Sequence, residues 1–289
     1  MRVPVNVRFV PIALFASVAL PATMEAQRVH HFDLRWDNDF LAVRGNGKPA
    51  DYGYTQGLEV AVGFDRDTDA QAPRYRVALG QRIYTPRADG EHPVPGERPY
   101  AGWLYAAVSS RSGGPHARFT IGGELGITGP AALGEVVQNG VHRLTRSDRQ
   151  QGWGNQLSPE IAFALRAQAE LVRTVRRMEL RPYGEVTLGT LRDGLAVGLN
   201  SSSGEGRGIY ARAGIRGEWV ARDLFLDGNT FRRSVRAERH NLLGTADVAL
   251  GYRWSNWSVG YGMSARTREY TAQREPHRYG SVSVGWRRY

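Results

Sequence analysis

Apolar and polar side chains alternate with a period of two through most of this chain, the pattern of strands with one apolar and one polar face. Phe32, Leu34 and Trp36 alternate with Asp33, Arg35 and Asp37, and Leu58, Val60, Val62 and Phe64 with Glu59, Ala61, Gly63 and Asp65. Phe119, Ile121, Leu125 and Ile127 share one parity against Thr120, Gly122 and Glu124. The clearest hairpin comes late. Val248, Leu250, Tyr252 and Trp254 lead into a turn at Ser255-Asn256, and Trp257, Val259, Tyr261 and Met263 line the returning strand. The opposite faces are rich in Gly, Ser, Arg and Glu, which suits a crowded polar lumen better than the second apolar layer of a soluble sandwich. Tyr and Trp cap the apolar faces near strand ends, as an interfacial girdle would. At about 10 residues per tilted strand plus turns and loops, the length predicts an all-β, antiparallel transmembrane barrel of roughly 12 strands.

The N-terminal segment adds export. A basic start (Arg2, Arg8) precedes an apolar run from Phe9 to Ala22 that is too short to span a bilayer as a helix and reads as a secretory signal peptide. Cleavage is expected after Ala26 or Ala22, giving 1–26 as signal peptide and 27–289 as an outer-membrane barrel. No later stretch approaches 18 consecutive apolar residues, so no transmembrane helix is expected. The negative mean hydropathy does not oppose a barrel, half of whose strand residues face a polar interior. The chain ends on the aromatic Tyr289, although Val282, Val284 and Trp286 fall on the other parity.

Charge and composition narrow the partners. The 289 residues include no cysteine, which excludes disulfides and thiolate metal sites. The formal net charge of +10 is carried by arginine, with Lys48 the only lysine. Guanidinium groups bind phosphate bidentately, so an anionic glycolipid is an attractive partner; an arginine bias that merely solvates loops is the plainer alternative. Nucleic acid is a poor partner for an exported chain. The oligomeric state stays open, and a monomer is compatible with the pattern.

One segment interrupts the alternation. From Ala131 to about Leu144 the sequence predicts a short helix after Gly129-Pro130, at a loop position where barrels carry function. On it Glu135, Gln138 and His142 fall at i, i+3 and i+7, sharing a face. A histidine with a polar neighbour one turn back can act as a general base near neutral pH, though a surface histidine on a loop helix would satisfy the same spacing. Asp37-Asn38-Asp39 stands where the first apolar alternation ends, and its carboxylate and amide oxygens suit a hard cation such as calcium; a solvated strand end is the alternative. A serine nucleophile finds no support. There is no G-x-S-x-G elbow, and His142 is followed by Arg143, Leu144 and Thr145. No carboxylate spacing favours glycosidase chemistry.

A set of short motifs then stands in order along the chain: Asn38-Asp39, Asp51 to Gly57 (DYGYTQG), Gly80 to Pro86 (GQRIYTP), Gly96 to Leu104 (GERPYAGWL) and Gly126 to Pro130 (GITGP). Gly134-Glu135, Gln138 to His142, Gly152-Trp153, Gln156, Phe225 to Phe231 (FLDGNTF) and Arg266 to Tyr270 (RTREY) complete it. Together they resemble the lipid A deacylase family of outer-membrane barrels, over nearly all of the mature chain. The resemblance implies a 12-stranded barrel with its active site near the outer leaflet, between barrel wall and a loop helix. It implies calcium-dependent removal of the 3′-linked acyloxyacyl chain of lipid A. On this resemblance His142 is the general base, Gln138 lines the site, Asp39 helps to hold Ca2+, and Asn38 and Thr55 bind the metal or polarise the ester carbonyl. The stretch from Arg87 to Val94 departs from the lysine-rich turn of enterobacterial members, and a tyrosine downstream of the histidine is replaced near Gln150. Arg98, Arg143 and Arg146 are the alternative phosphate contacts. Two other functions compete: a phospholipid ester hydrolase, favoured by the altered basic turn, and a non-catalytic barrel. Against a pore, a barrel of this size has an interior largely filled by side chains.

Overall fold

A computed structural model describes residues 28–42, 52–65, 74–87, 90, 92–204 and 206–288; the expected signal peptide lies outside the described residues. Twelve antiparallel strands form one closed sheet. They are β1 (Arg28–Asn38), β2 (Gly53–Asp65), β3 (Arg74–Thr85), β4 (Ala101–Gly113), β5 (Ala117–Thr128) and β6 (Glu160–Leu171), which is continued past Val172 by the short piece Arg173–Val175. There follow β7 (Met178–Leu188), β8 (Arg192–Ser203), β9 (Gly208–Asp223), β10 (Leu242–Trp254), β11 (Trp257–Arg266) and β12 (His277–Arg287). Each strand pairs with its neighbours in sequence, and β1 closes on β12 through pairs such as Asn38 with Gly280. Closure leaves no free sheet edge, the condition for strands to cross a bilayer.

The alternation sorts side chains as the sequence predicts. Trp36, Leu58, Leu79, Ile161, Val197, Val248 and Leu250 are exposed on the outer face. At about 25 cal/mol per Å² of apolar surface, such a band is unfavourable in water and stable against hydrocarbon. No helix among the described residues is long and apolar enough to cross a membrane; the strands do so.

Inward positions build ion pairs. Arg82 donates to both carboxylate oxygens of Glu124 (2.7 and 2.9 Å), which also accepts from the Trp103 indole (2.7 Å). Glu59 accepts from Arg76 (2.5 Å) and the Tyr105 hydroxyl (2.8 Å), while Glu218 is shared by Arg192 (3.0 Å) and Arg216 (3.3 Å). Removing a charge from bulk water costs several kcal/mol, so nearly every lumen carboxylate faces a guanidinium. The network leaves cavities of about 360 and about 310 Å³.

The two barrel ends differ. Residues 114–116, 176–177 and 255–256 form tight turns at one end, while 129–159, 224–241 and 267–276 form longer loops at the other. In outer-membrane barrels short turns face the periplasm and long loops the exterior. The outer mouth is stoppered. A one-turn helix (Leu224–Asp227) buries Leu224, Phe225 and Leu226, and Phe225 stacks on Tyr84 (centroids 4.3 Å) and meets Trp103 edge-on. The following loop is pinned across the rim, Asn229 exchanging hydrogen bonds with both backbone groups of Ser158 (2.9 and 3.0 Å). Planar-bilayer recordings are therefore expected to show no stable single-channel steps; regular ohmic steps would overturn this account of the mouth.

Candidate functional site

The interrupting segment lies outside the barrel, against the wall. The expected helix from Ala131 begins later: Pro130–Ala132 is a 3-10 turn, Leu133 is left-handed (φ 59°), and helix α1 runs Gly134–Thr145. The break lets two glycines meet. A Cβ on Gly102 would lie 3.1 Å from the Gly134 nitrogen, and one on Gly134 only 2.5 Å from the Trp153 ring, so α1 packs on β4 almost backbone to backbone. Gln81 donates to the Ala132 carbonyl (2.6 Å), while Ile83, Tyr100, Trp153 and Val137 form an apolar cluster between wall and helix. The register places Ile83 opposite Gln56, and Gln56 opposite Asn38. Helix and strand end thus share the outer face, with β1 about 10 Å, two strand spacings, from β3.

On α1, Gln138 and His142 are buried, whereas Glu135 is exposed and leaves the expected three-residue face. Gln138 accepts from the Trp153 indole (3.0 Å). His142 Nδ1 bonds the backbone carbonyl of Asp148. A carbonyl only accepts, so Nδ1 carries the proton and a neutral ring has its lone pair on Nε2, the form a general base needs. The returning segment is clamped: Asn139 bonds the Gln150 nitrogen (3.0 Å), and Gln150 accepts from the Tyr100 hydroxyl (2.9 Å).

At the strand end, Asn38, Asp39 and Thr55 are buried. Asn38 Oδ1 caps the turn by accepting from the Phe40 nitrogen (2.8 Å), which turns its amide N–H groups away from that contact. Asp39 Oδ2 accepts from the Tyr52 nitrogen (3.0 Å). Thr55 occupies a bulge between Tyr54 and Gln56 and shares a hydrogen bond with the Thr85 hydroxyl (2.6 Å) on the outer face. Carboxylate, amide and hydroxyl oxygens fit a hard divalent cation in kind. Asp39 is the one full charge in this set, and no group of three or more His, Cys, Asp or Glu suited to a metal occurs among the described residues.

A family profile described as Outer membrane protein LpxR matches residues 9–288. The chain belongs to the LpxR family. Among solved structures, LpxR from Salmonella typhimurium aligns with a TM-score of 0.78 at 18% identity, covering 89% of this chain and 100% of that one. The translocator domain of the autotransporter NalP from Neisseria meningitidis aligns at 0.47 and 11% identity, over 91% of this chain and 88% of that one. The KdgM porin aligns at 0.44 and 10% identity, over 90% and 99%. A search of curated proteins gave no match.

This LpxR-family barrel is an outer-membrane protein, and its motif residues divide by location. Asn38, Asp39 and Thr55 lie at the outer ends of β1 and β2, while Gln138 and His142 lie on α1, which packs against β3 and β4. Arg143 and Arg146 are exposed at the end of α1. Arg98 departs from the phosphate contact expected of it. It is buried at the mouth, paired with Glu269 (3.2 Å) and stacked over the Tyr84 ring (4.7 Å). Glu97 accepts there from the Tyr270 hydroxyl (2.8 Å), so the GERPY and RTREY motifs meet to brace the mouth. Sequence reasoning did not single out His277 or the carbonyl of Asp148, whose contacts involve backbone groups that no side-chain motif announces.

Proposed function

We propose that the outer-wall site hydrolyses the ester of the 3′-linked acyl or acyloxyacyl chain of lipid A in the outer leaflet, with calcium as cofactor. The observation that carries this reading is His142, seated on a helix outside the barrel with Nδ1 committed to the Asp148 carbonyl. His142 Nε2 takes a proton from a water molecule as that water's oxygen adds to the ester carbonyl carbon. The same proton is returned to the departing alkoxide, so the acyl–oxygen bond breaks and free acid and alcohol result. The Asn38 amide N–H groups are suited to donate to the developing oxyanion, a contribution of about 3 kcal/mol for one well-aimed donor. Asp39, Asn38 and Thr55 would hold the calcium ion through their oxygens, and the ion, when bound, would supply positive charge that stabilises the transition state. Gln138, which accepts from the Trp153 indole, would line the site, and the exposed Arg143 and Arg146 would grip lipid A phosphate.

Mass spectrometry of lipid A from cells expressing the protein tests this. The expected result is a lighter species missing an acyl or acyloxyacyl unit, lost when purified enzyme is assayed with a calcium chelator. An unchanged spectrum from correctly inserted protein supplied with calcium sinks the proposal. Fatty acid release from phospholipid vesicles lacking lipid A would redirect it to a phospholipid ester.

A further inference from the structure

Behind the strand ends that carry Asn38 and Thr55, a lumen-side residue contacts the backbone. The last ladder partner that β1 offers β2 is Asn38, opposite Gln56, so Gly53, Tyr54 and Thr55 run past the end of β1. His277, the first residue of β12, reaches across to them. It is only 2% exposed, and its ring lies so close to Gly53 that a Cβ there would sit 2.7 Å from Nδ1. Gly53 also has φ +86°, so both space and backbone conformation select glycine. His277 Nε2 lies 3.0 Å from the Tyr54 carbonyl oxygen and must be the donor, since a carbonyl only accepts.

The opposite end of Tyr54 is fixed as well, its hydroxyl donating to Asp37 (2.9 Å) and its ring packing edge-on against Tyr279 (4.9 Å). Tyr279 in turn stacks on His277 (5.8 Å). The next residue is Thr55, in the bulge. A bulge disrupts the ladder locally and re-aims a side chain, and its direction depends on what holds the flanking backbone. Here Gly53 and Tyr54 pair with β3 on one side, and on the other, past the end of β1, the Tyr54 carbonyl is held from β12 by His277.

We infer that His277 is a positioning residue: its hydrogen bond to the Tyr54 carbonyl fixes the bulge that turns Thr55 to the outer-wall site. The kinetic consequence rests on the hydrolase reading; the structural one does not.

Two substitutions separate the donor from the bulk. His277→Gln keeps an N–H donor near the Nε2 position, and His277→Leu fills the space without one. With purified lipid A in detergent micelles, His277→Leu is expected to lose about a hundredfold in kcat, the scale of a 1 Å misplacement, with KM little changed. His277→Gln is expected to recover most of that loss. Amide hydrogen exchange over residues 53–56 should quicken in His277→Leu and not in His277→Gln, while both keep the heat-modifiable gel shift of a folded barrel. Should the leucine variant fail to fold, His277→Asn, too short to reach the carbonyl, takes its place. Wild-type kcat or unchanged exchange in the donorless variant overturns the inference, as does a glutamine variant no better than leucine. A wild-type protein that cleaves no ester would instead sink the hydrolase reading, and the exchange comparison would still decide the role of His277.

Discussion

Replacing His142 with asparagine is expected to slow lipid A hydrolysis by about 10²- to 10⁴-fold, the range for loss of a positioned general base. Asparagine is the informative choice because its amide can still donate to the Asp148 carbonyl where Nδ1 does now, so the returning segment keeps its anchor. What disappears is the Nε2 lone pair. An interaction used only in the transition state lowers kcat and kcat/KM together and leaves KM nearly alone. Single-turnover release of the acyl chain by matched wild-type and variant barrels gives the comparison. A variant retaining wild-type turnover would remove His142 from the chemistry and with it the proposed mechanism.

The second large effect concerns stability. Glu269 is 4% exposed, accepts from Arg98 (3.2 Å) and Arg266 (2.8 Å), and so compensates two guanidiniums at the mouth. Burial alone would raise its pKa, but Arg266 and Arg98 outweigh this and hold it down at about 2. Glu269→Gln leaves Arg98, 1% exposed, without a counter-charge, and the cost of uncompensating a buried pair is about 3–5 kcal/mol. Arg98→Leu is expected to cost less, because Glu269 keeps Arg266. Denaturant unfolding of the barrels in micelles should rank wild type above Arg98→Leu above Glu269→Gln. The sign with pH follows from a lowered folded pKa. The contribution of Glu269 is complete above the ordinary carboxylate value near 4.5 and fades as pH falls toward about 2, so the gap between wild type and Glu269→Gln should narrow over that window. A gap that is constant with pH, or an inverted ranking, would show that the pair does not brace the mouth.

The strands were legible because a membrane barrel writes its two solvents into the sequence: Leu58, Val60 and Val62 meet lipid while Glu59 meets Arg76. The helix was legible as a break in that rhythm, but its start was not. The left-handed Leu133 and the contact of Gly134 with Gly102 belong to packing between segments distant in sequence. Spacing put Glu135 beside Gln138 and His142, yet only the latter two turn toward the wall, since periodicity identifies a face without saying how wide its buried part is. Arg98 shows the limit most plainly. A guanidinium within a turn motif suits phosphate, and nothing local reveals that its carboxylate partner comes 171 residues later. His277 was invisible for the same reason, its partner being a backbone carbonyl 223 residues away.

Placing the helix outside the wall fixes how a molecule arrives. Phe40, just past the end of β1, and Val136 and Leu144, on α1, are apolar and 74%, 67% and 86% exposed. On the hydrolase reading, a lipid substrate would meet this apolar surface by sliding sideways within its own monolayer, its fatty chains never crossing water. Encounter is then a two-dimensional problem governed by molecules per unit area. Diluting the lipid with inert detergent at constant total substrate should slow the reaction, whereas diluting the whole suspension with buffer should leave the rate per enzyme unchanged.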